Sequence, residues 1–266
     1  MLYFYYGYHI SIIASKEQGI EIMAKEKIIF IAGATGVIGI RLCKMLIEDN
    51  WTVFGTTRSE EKTKMLRDIG VTPVVVDVYD AKKLEEVVVN AKPTVVVHQL
   101  TDLPAGLDPE KMEEALVSNA KLRVEGTRNL VNAATKAGVD KMIAQSIGFV
   151  YEPGELPQTE ESPLLNFEDP TYGETSRAVA SLEEQVTHAP FIGIILRNGL
   201  LYGDGNGFDN PVDFVPAIHV DAAAYASFLA LNGNSTAIYN VANNDQRLSS
   251  EKIKSTLGWT PDYRMK

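Results

Sequence analysis

The segment IIFIAGATGVIG at positions 28–39 constrains the fold more than any other part of the chain. An apolar run, Ile28–Ala32, precedes glycines at 33, 36 and 39, and an amphipathic helix opens at about Gly36. This spacing lets the backbone turn tightly and approach a pyrophosphate, whose charge the first N–H groups of the helix stabilise. The order strand, glycine turn, helix therefore predicts a dinucleotide site. A strand–turn–helix with a purely structural role is the alternative.

Short β-branched runs alternate with helical patterns along the rest of the chain. Near-continuous apolar strands separated by crossover helices indicate a parallel sheet covered on both faces, a doubly wound, Rossmann-like α/β fold. The further predicted strands are residues 51–57, 74–78, 94–98, 141–145 and 191–196. The predicted helices are residues 60–69, 81–91 after the N-cap Asp80, 109–137 ending at Gly138, and 222–231 after the N-cap Asp221.

The domain organisation is predicted as one Rossmann-like domain, residues 23–266, with a small, trimmed C-terminal lobe starting near 198 and a long loop at 152–170. A loop of that length usually carries function or mobility. Residues 1–22 are aromatic-rich and lack the basic start and cleavage site of a secretory signal. We expect this extension to be foreign to the native protein, with Met23 as the true start. An added edge strand or a membrane-surface anchor is the alternative.

The composition argues against several classes of partner and site. A net charge of -10 disfavours nucleic acid and anionic membranes as partners. Cys43 is the only cysteine, so no intrachain disulfide forms, and a reducing, cytoplasmic compartment is expected. No apolar run is long enough to span a bilayer. The scattered histidines and one cysteine give no metal-ligand spacing.

The residues after the second predicted strand bear on which dinucleotide is bound. An acidic residue about 20 positions beyond the glycines holds a ribose 2′-hydroxyl, whereas an arginine accommodates a 2′-phosphate. This chain has Arg58 at that place and no carboxylate, which favours NADP over NAD. Asp77, after the third strand, is a candidate for binding the adenine edge. A turn or cap residue at a strand end is the alternative for Asp77.

Several further motifs follow the glycine segment in a recognisable order. They are a long helix carrying Asn119, then QSIGFVY, YGETS, LRNGLLYGDGNG, HVDAAA and LGWTPDY. Together with GATGVIG, this order resembles the extended and atypical short-chain dehydrogenase/reductases, and more specifically the NAD-dependent epimerase/dehydratase group. The resemblance runs from about residue 27 to the C-terminus, and its most specific parts are the glycine motif and the stretch beginning LRNG.

The resemblance implies cofactor contacts by the glycine loop and by the residues that end the second, third and fourth strands. These positions are Gly33, Thr35, Gly36, Val37, Ile38, Gly39, Arg58, Asp77, Val78, Gln99, Leu100 and Thr101. It also implies that Asn119 braces the central helix and the active-site loop. His98 is either a polar ligand contact or a hydrogen-bonded histidine at a strand end.

Members of this group that move a hydride use a tyrosine acid/base, a lysine four residues later, and a serine or threonine. Tyr172 occupies the tyrosine position, but the lysine position is Ser176. Lowering a tyrosine pKa from about 10 to about 7 needs about 4 kcal/mol, usually from a nearby cation. Ser176 supplies no charge, and Arg177 lies about 100° away around the helix. Tyr172 is therefore either an acid/base or a packing or ligand-contacting residue at a helix start.

The remaining candidates are also displaced from the family pattern. The serine/threonine position is Ile147, with Ser146 one residue earlier. Ser146 is either the substrate-orienting hydroxyl or a buried hydroxyl bonded to the backbone. Arg197 is interpreted as a structural arginine at a strand end, with a substrate phosphate or carboxylate as the alternative contact. His219 and Asp221 are interpreted as a structural pair that opens a helix.

Compared with the family that it resembles, the chain is short after Gly205 and again after Asn240. The resemblance therefore implies a small or open substrate pocket and disfavours a nucleotide sugar. The prediction is an NAD(P)-binding oxidoreductase that moves a hydride between a nicotinamide and a small carbonyl or hydroxyl carbon. Tyr172 and Ser146 are its catalytic candidates. A non-catalytic NADP-binding regulator that senses redox state is the main alternative, and a scaffold without cofactor is a further one. The substrate and the oligomeric state, a homodimer included, stay open.

Overall fold

The computed structural model describes residues 26–266, so the extension at 1–22 and the predicted start at Met23 lie outside the described residues. The first three described strands are β1 Ile28–Ala32, β2 Thr52–Thr57 and β3 Thr72–Val75. The others are β4 Val95–His98, β5 Lys141–Ile147, β6 Ile192–Asn198, β7 Leu200–Tyr202, β8 Ala217–His219 and β9 Ala237–Val241.

Seven of these strands form one parallel sheet in the order β3-β2-β1-β4-β5-β6-β9, and β7 pairs with β8 in a separate parallel sheet. The chain runs outward from β1 through β2 and β3 and then crosses back to β4 on the other side of β1. This reversal opens a crevice at the carboxyl ends of the strands, where open α/β sheets bind ligands. The predicted doubly wound fold is confirmed.

The helices of the described chain lie between successive strands or follow them. They are α1 Val37–Glu48, α2 Thr63–Asp68, α3 Ala81–Ala91, α4 Met112–Lys121, α5 Thr127–Ala137, α6 Gly173–Thr187, α7 Val220–Leu229 and α8 Glu251–Leu257. A π-helical turn, Leu122–Gly126, joins α4 to α5, so the predicted helix at 109–137 is a helical stretch with one wide turn. It ends at Gly138, whose φ of 70° is the left-handed conformation that glycine favours.

Helices pack against both faces of the sheet through two apolar layers. Successive side chains of β1 point into one layer and then the other. Ile29 and Ile31 pack with Leu42 of α1 and with the alanines of α7. Phe30 packs on the opposite face with Leu84 of α3 and Leu130 of α5. Full burial of each such side chain contributes about 1.5–3 kcal/mol. We call these the α1–α7 face and the α3–α5 face.

The structure corrects several element boundaries. The third strand ends at Val75, so the predicted residues 76–78 lie beyond it. The helix predicted at 222–231 begins at Val220 and ends at Leu229. Its N-cap is His219 and not Asp221, because the His219 Nδ1 accepts a hydrogen bond from the Asp221 N–H at 3.2 Å.

The C-terminal part of the chain contributes to the main sheet as well as to its rim. Within the predicted lobe, β9 pairs with β6 and α7 packs against α1, while β7 and β8 lie apart from the main sheet. None of the helices in the described part of the chain combines the length and apolar character that a bilayer crossing requires.

Candidate functional site

A cavity of about 680 Å³ lies along the carboxyl ends of the strands, where the strand order reverses. Its lining runs from the glycine loop, past Arg58 after β2 and Gln99 after β4, to Asn198 in β6. The volume is typical of small-molecule and cofactor sites, which span about 300–1,000 Å³. We call the part around Arg58 and Asp77 the adenosine end and the part lined by Gln145 and later residues the inner end.

Two of the three glycines in the loop leave no space for a side chain. Gly33 has a φ of +89°, and a Cβ there would lie 2.8 Å from the backbone of Gln99. A Cβ at Gly39 would lie 2.2 Å from the carbonyl oxygen of Gly33, so α1 packs directly on the loop. A Cβ at Gly36 would meet nothing nearer than 3.4 Å. The fold thus requires glycine at 33 and 39 but has room for a side chain at 36.

The start of α1 has the properties of an anion site. Gly36 is its N-cap, and no side chain caps the helix. The first N–H groups of a helix lack intrahelical partners and, with the helix dipole, attract negative charge. Thr35, Gly36 and Val37 line the cavity, whereas Ile38 and Gly39 are buried and are not part of its lining. The uncapped helix and the open space at Gly36 fit a pyrophosphate.

The adenosine end brings together side chains from three strand ends. Arg58, Asp77 and Asp102 all line the cavity. The Arg58 side chain is 66% exposed, and its guanidinium lies 3.4 Å from Asp102 Oδ1. Asp77 Oδ1 accepts a hydrogen bond from the Tyr79 N–H at 2.9 Å, so this carboxylate shapes a turn as well as the cavity wall.

The loop after β4 is held by the long helical stretch, as the resemblance implies. Asn119 of α4 is 2% exposed, and its Oδ1 accepts a hydrogen bond from the Asp102 N–H at 3.0 Å. Leu100, Thr101 and, across the crevice, Val78 line the cavity. Asn119 therefore braces the loop without lining the cavity itself.

His98 is a buried, hydrogen-bonded residue at the end of β4. Its Nδ1 accepts a hydrogen bond from the Leu100 N–H at 3.2 Å, so the neutral ring carries its proton on Nε2, which lies 3.0 Å from Thr127 Oγ1. Burial, with the nearby charge of Arg123, lowers the pKa of His98 to about 4. His98 is not among the residues that line the cavity, which favours a structural role.

We expect His98 to make the protein less stable on acidification. Because its folded pKa of about 4 lies below its ordinary value of 6.5, the unfolded chain binds the proton first. This contribution is fully present above pH 6.5, and about 3 kcal/mol is lost as the pH falls to 4. Urea unfolding of wild type and His98→Gln across that range measures it, with His188→Gln at an exposed site as the control. If the difference in free energy of unfolding between wild type and His98→Gln does not change with pH, the lowered pKa of His98 is contradicted.

Ser146 completes a buried ion pair beneath the cavity. Its Oγ donates to Glu183 Oε1 at 2.7 Å, and Glu183 accepts two hydrogen bonds from Arg197, at 2.9 and 2.6 Å. The two charged side chains are 5% and 6% exposed. Arg197 also donates to the Tyr151 hydroxyl at 2.8 Å. The partner of Ser146 is thus a carboxylate and not the backbone, although Ser146 itself lines the cavity.

Tyr172 lies apart from the cavity. It is the N-cap of α6, is 54% exposed, and is not among the residues that line the cavity. Ser176 is fully buried, and its Oγ donates to a carbonyl oxygen in the loop before α6 at 2.7 Å. Arg177 donates to a carboxylate of the same loop at 3.2 Å. The structure therefore does not bring Tyr172 and Ser146 to a common site.

The pair His219 and Asp221 ties the start of α7 to its surroundings. Asp221 Oδ1 lies 2.6 Å from Arg41 Nε of α1, and Asp221 Oδ2 accepts a hydrogen bond from the Met265 N–H. Burial, followed by the charge of Arg264, lowers the pKa of His219. Neither residue lines the cavity, so their geometry is that of a structural pair.

Several cavity residues were missed in the sequence. They are Lys62 and Asp102 at the adenosine end, and Gln145, Asn198 and Asn206 at the inner end. Gln145 and Asn198 give a sequence signal, because each is a polar residue at or near the end of an apolar strand. Among the described lining residues from Gln145 onward, none is titratable. Within 26–266, no group of three or more His, Cys, Asp or Glu side chains is placed to hold a metal ion.

The sequence profile of the NAD dependent epimerase/dehydratase family matches residues 29–242. The chain belongs to this family. A 3-diazoavenalumate denitrifying reductase from Streptomyces is 32% identical over 260 residues, which cover 88% of this chain and 80% of that protein. Cinnamoyl-CoA reductase 1 from Petunia hybrida is 33% identical over 142 residues, which cover 50% of this chain and 39% of that protein.

Solved structures of an epimerase and a dehydratase share the architecture. UDP-glucose 4-epimerase from Thermotoga maritima has a TM-score of 0.72 at 17% identity, covering 89% of this chain and 94% of that one. The dTDP-glucose 4,6-dehydratase from Streptomyces venezuelae has a TM-score of 0.71 at 16% identity, covering 90% and 93%. These similarities show the fold. Membership of the epimerase/dehydratase family confirms the prediction of an NAD(P)-binding oxidoreductase.

Proposed function

We propose that this epimerase/dehydratase family member is an NADPH-dependent reductase of a small aromatic molecule whose reduction needs no proton from the protein. The inner end of the cavity carries the proposal, because no side chain among its described lining residues is titratable. Tyr172 is exposed and outside the lining, and the Ser146 hydroxyl donates to Glu183. Hydride transfer to an acceptor that leaves no basic oxygen behind suits such a site.

The described residues fit a dinucleotide along the length of the cavity. The uncapped start of α1 and the space at Gly36 would hold the pyrophosphate, with Arg58 and Lys62 available to a 2′-phosphate and Asp77 to the adenine. A bound nicotinamide supplies a hydride. The apolar side chains of the inner end, Ile147 among them, would then orient the acceptor and exclude water.

A diazo compound is the acceptor class that the proposal favours. A carbonyl takes a hydride on carbon and a proton on oxygen, whereas an arenediazonium takes only the hydride. The hydride's electron pair forms the new C–H bond, and the pair of the broken C–N bond leaves with N₂. The Streptomyces relative is named for denitrifying a diazo compound and matches 88% of this chain. Such a reaction needs no tyrosine–lysine pair, so Ser176 at the lysine position is compatible with activity.

A nucleotide sugar is disfavoured by the charges in the cavity. Its diphosphate would need cations, and the described lining residues from Gln145 onward include none. The cationic side chains that line the cavity, Arg58 and Lys62, both lie at the adenosine end. A second diphosphate therefore has no counterpart at the inner end.

The test is an assay of NADPH oxidation with an arenediazonium salt and, separately, with cinnamaldehyde. We expect NADPH loss and N₂ release in equal amounts with the diazonium, above the rates without protein and with Gly36→Ala, and no turnover of the aldehyde. Turnover of the aldehyde alone would replace the diazo assignment by a carbonyl one. Tight NADPH binding with no turnover of either acceptor would favour the non-catalytic regulator.

The preference for NADP gives a separate prediction. Arg58→Ala is expected to weaken NADPH binding about 10-fold, as loss of one charge-assisted hydrogen bond does. NADH binding should change less than about twofold, because NADH lacks the 2′-phosphate. Calorimetric titration measures both, with Arg67→Ala, an exposed arginine of α2 outside the cavity lining, as the control. Equal losses for NADPH and NADH would assign Arg58 a general role.

The proposal extends to compartment and assembly. A cytoplasmic location is supported by the presence of a single cysteine, Cys43. Burial raises the pKa of the Cys43 thiol to about 12, so it is not a reactive thiolate. A homodimer is supported by the exposed apolar side chains Val117 and Phe167, which border a shallow groove beside α4 and α6. Cell fractionation and light scattering test the two points.

A further inference from the structure

Asn198 ends β6 with an amide whose hydrogen-bonding atoms have no partner. The residue is 3% exposed and lines the cavity. Neither Nδ2 nor Oδ1 of Asn198 bonds to any other group in the described chain. Each buried polar atom left unbonded costs about 1–3 kcal/mol, and native proteins keep few of them. Both atoms of one amide left open beside a cavity point to a ligand as the missing partner.

A second residue with an open polar atom is Gln99, on the other side of β5. Its Nε2 donates to Ser227 of α7 at 3.1 Å, which places the side chain on the α1–α7 face, while Oε1 has no partner in the described chain. The preceding residue of β6, Arg197, has its side chain on the opposite face, where it bonds to Glu183 of α6. Because successive side chains of a strand point to opposite faces, Asn198 lies on the α1–α7 face. Two buried amides at the ends of β4 and β6 thus leave polar atoms open beside one cavity.

The position of these amides indicates which part of a dinucleotide they face. The pyrophosphate is the middle of the molecule, so a dinucleotide held at Gly36 sends its adenosine arm toward Arg58 and its nicotinamide arm toward the inner end. The nicotinamide carries a primary carboxamide, which has both N–H donors and a C=O acceptor. An asparagine amide offers the reciprocal donor and acceptor. The chemistry that Asn198 leaves open is therefore that of a carboxamide.

We propose that Asn198 recognises the carboxamide of the nicotinamide through paired amide–amide hydrogen bonds and so fixes the position of the reactive ring. The contact rests on dinucleotide binding and not on the nature of the hydride acceptor. Ile147, opposite Asn198 in the neighbouring strand, and Leu200 add apolar surface for the ring. The side chain at position 198 would then determine affinity for the nicotinamide half of the cofactor alone.

The experiment compares how wild type and Asn198→Leu bind ligands with and without a nicotinamide. The leucine side chain is similar in size to that of asparagine and has no polar atoms. Calorimetry measures NADPH and 2′-phospho-ADP-ribose, or NADH and ADP-ribose if wild type binds only that pair. We expect Asn198→Leu to weaken binding of the full dinucleotide about 30-fold and binding of the truncated ligand less than about twofold. The 3-acetylpyridine analogue of the dinucleotide lacks the carboxamide N–H groups. It should bind wild type more weakly than the parent dinucleotide does, and it should bind Asn198→Leu as well as the parent dinucleotide does.

The other outcomes overturn the proposal in distinguishable ways. Equal losses for the full and truncated ligands would show that Asn198 acts through the fold. Unchanged dinucleotide binding with a raised KM for the acceptor would assign the amide to the acceptor. A lower Tm of ligand-free Asn198→Leu would show that the amide is satisfied within the protein, for example by a buried water. Wild type that binds none of the ligands would refute dinucleotide binding itself.

Discussion

Glu183→Ala is expected to lower the free energy of unfolding by about 3–5 kcal/mol, because it leaves the Arg197 guanidinium buried without its partner. The Arg197 and Glu183 side chains are 5% and 6% exposed and share two hydrogen bonds. Glu183 also compensates a second buried cation: burial lowers the pKa of Arg123 to about 10, and the charge of Glu183 opposes that shift. The Ser146 hydroxyl loses its acceptor as well.

Thermal and urea unfolding measure the effect, which corresponds to a fall in Tm of about 10 °C for a chain of this size. Glu184→Ala is the matched control, because Glu184 is the next residue of α6 and is exposed. The double variant Glu183→Leu, Arg197→Met should regain part of the loss, because no unpaired charge stays buried at position 197, while Arg123 and Ser146 still lack Glu183. A loss at Glu183 no larger than at Glu184 would contradict the buried network.

Gly36→Ala is expected to weaken NADPH binding about 100-fold while changing the free energy of unfolding by less than about 1 kcal/mol. The ligand-free fold accepts the added methyl group, because its nearest neighbour, the Gly33 carbonyl oxygen, would lie 3.4 Å away. The same methyl group occupies the space through which a pyrophosphate approaches the backbone. Calorimetric titration and urea unfolding of one preparation separate the two effects.

Gly39→Ala is the comparison that makes this result specific. A Cβ at that position would lie 2.2 Å from the Gly33 carbonyl oxygen and 2.9 Å from Ala34 Cα, so the backbone must move. We expect a loss of stability of about 2–3 kcal/mol together with the loss of binding. If Gly36→Ala binds NADPH as wild type does, the open space at Gly36 has no part in cofactor binding.

The strands of the main sheet differ in how well the sequence predicts them. β1 was predicted with its observed ends, because its apolar run stops at a glycine that only a turn accommodates. β9, with the sequence AIYNV, was missed because its polar Asn240 interrupts the apolar pattern. β7 and β8 span three residues each, which is too few for an alternation of apolar and polar residues to show. Strands of this kind are fixed by packing against distant parts of the chain and not by a local sequence pattern.

The candidate site divides in the same way. Gly33, Gly36 and Arg58 could be predicted, since a glycine loop and a strand-end cation act through local backbone geometry and charge. The acceptor of the Ser146 hydroxyl could not, because Glu183 lies 37 positions away and looks like any other helical glutamate. The open amide of Asn198 was also beyond reach, because an unsatisfied atom is defined only when its whole surroundings are folded.

The π-helical turn Leu122–Gly126 fixes the length of the central helical stretch. Asn119 and Thr127, on its two sides, would point about 80° apart in a regular α-helix. The wider turn reduces that angle, so one side chain reaches the loop after β4 and the other reaches His98. Inserting one further residue there would rotate everything downstream by about 100° and separate the two contacts. Over evolution, this helix should therefore accept exchanges of individual side chains more readily than an inserted residue.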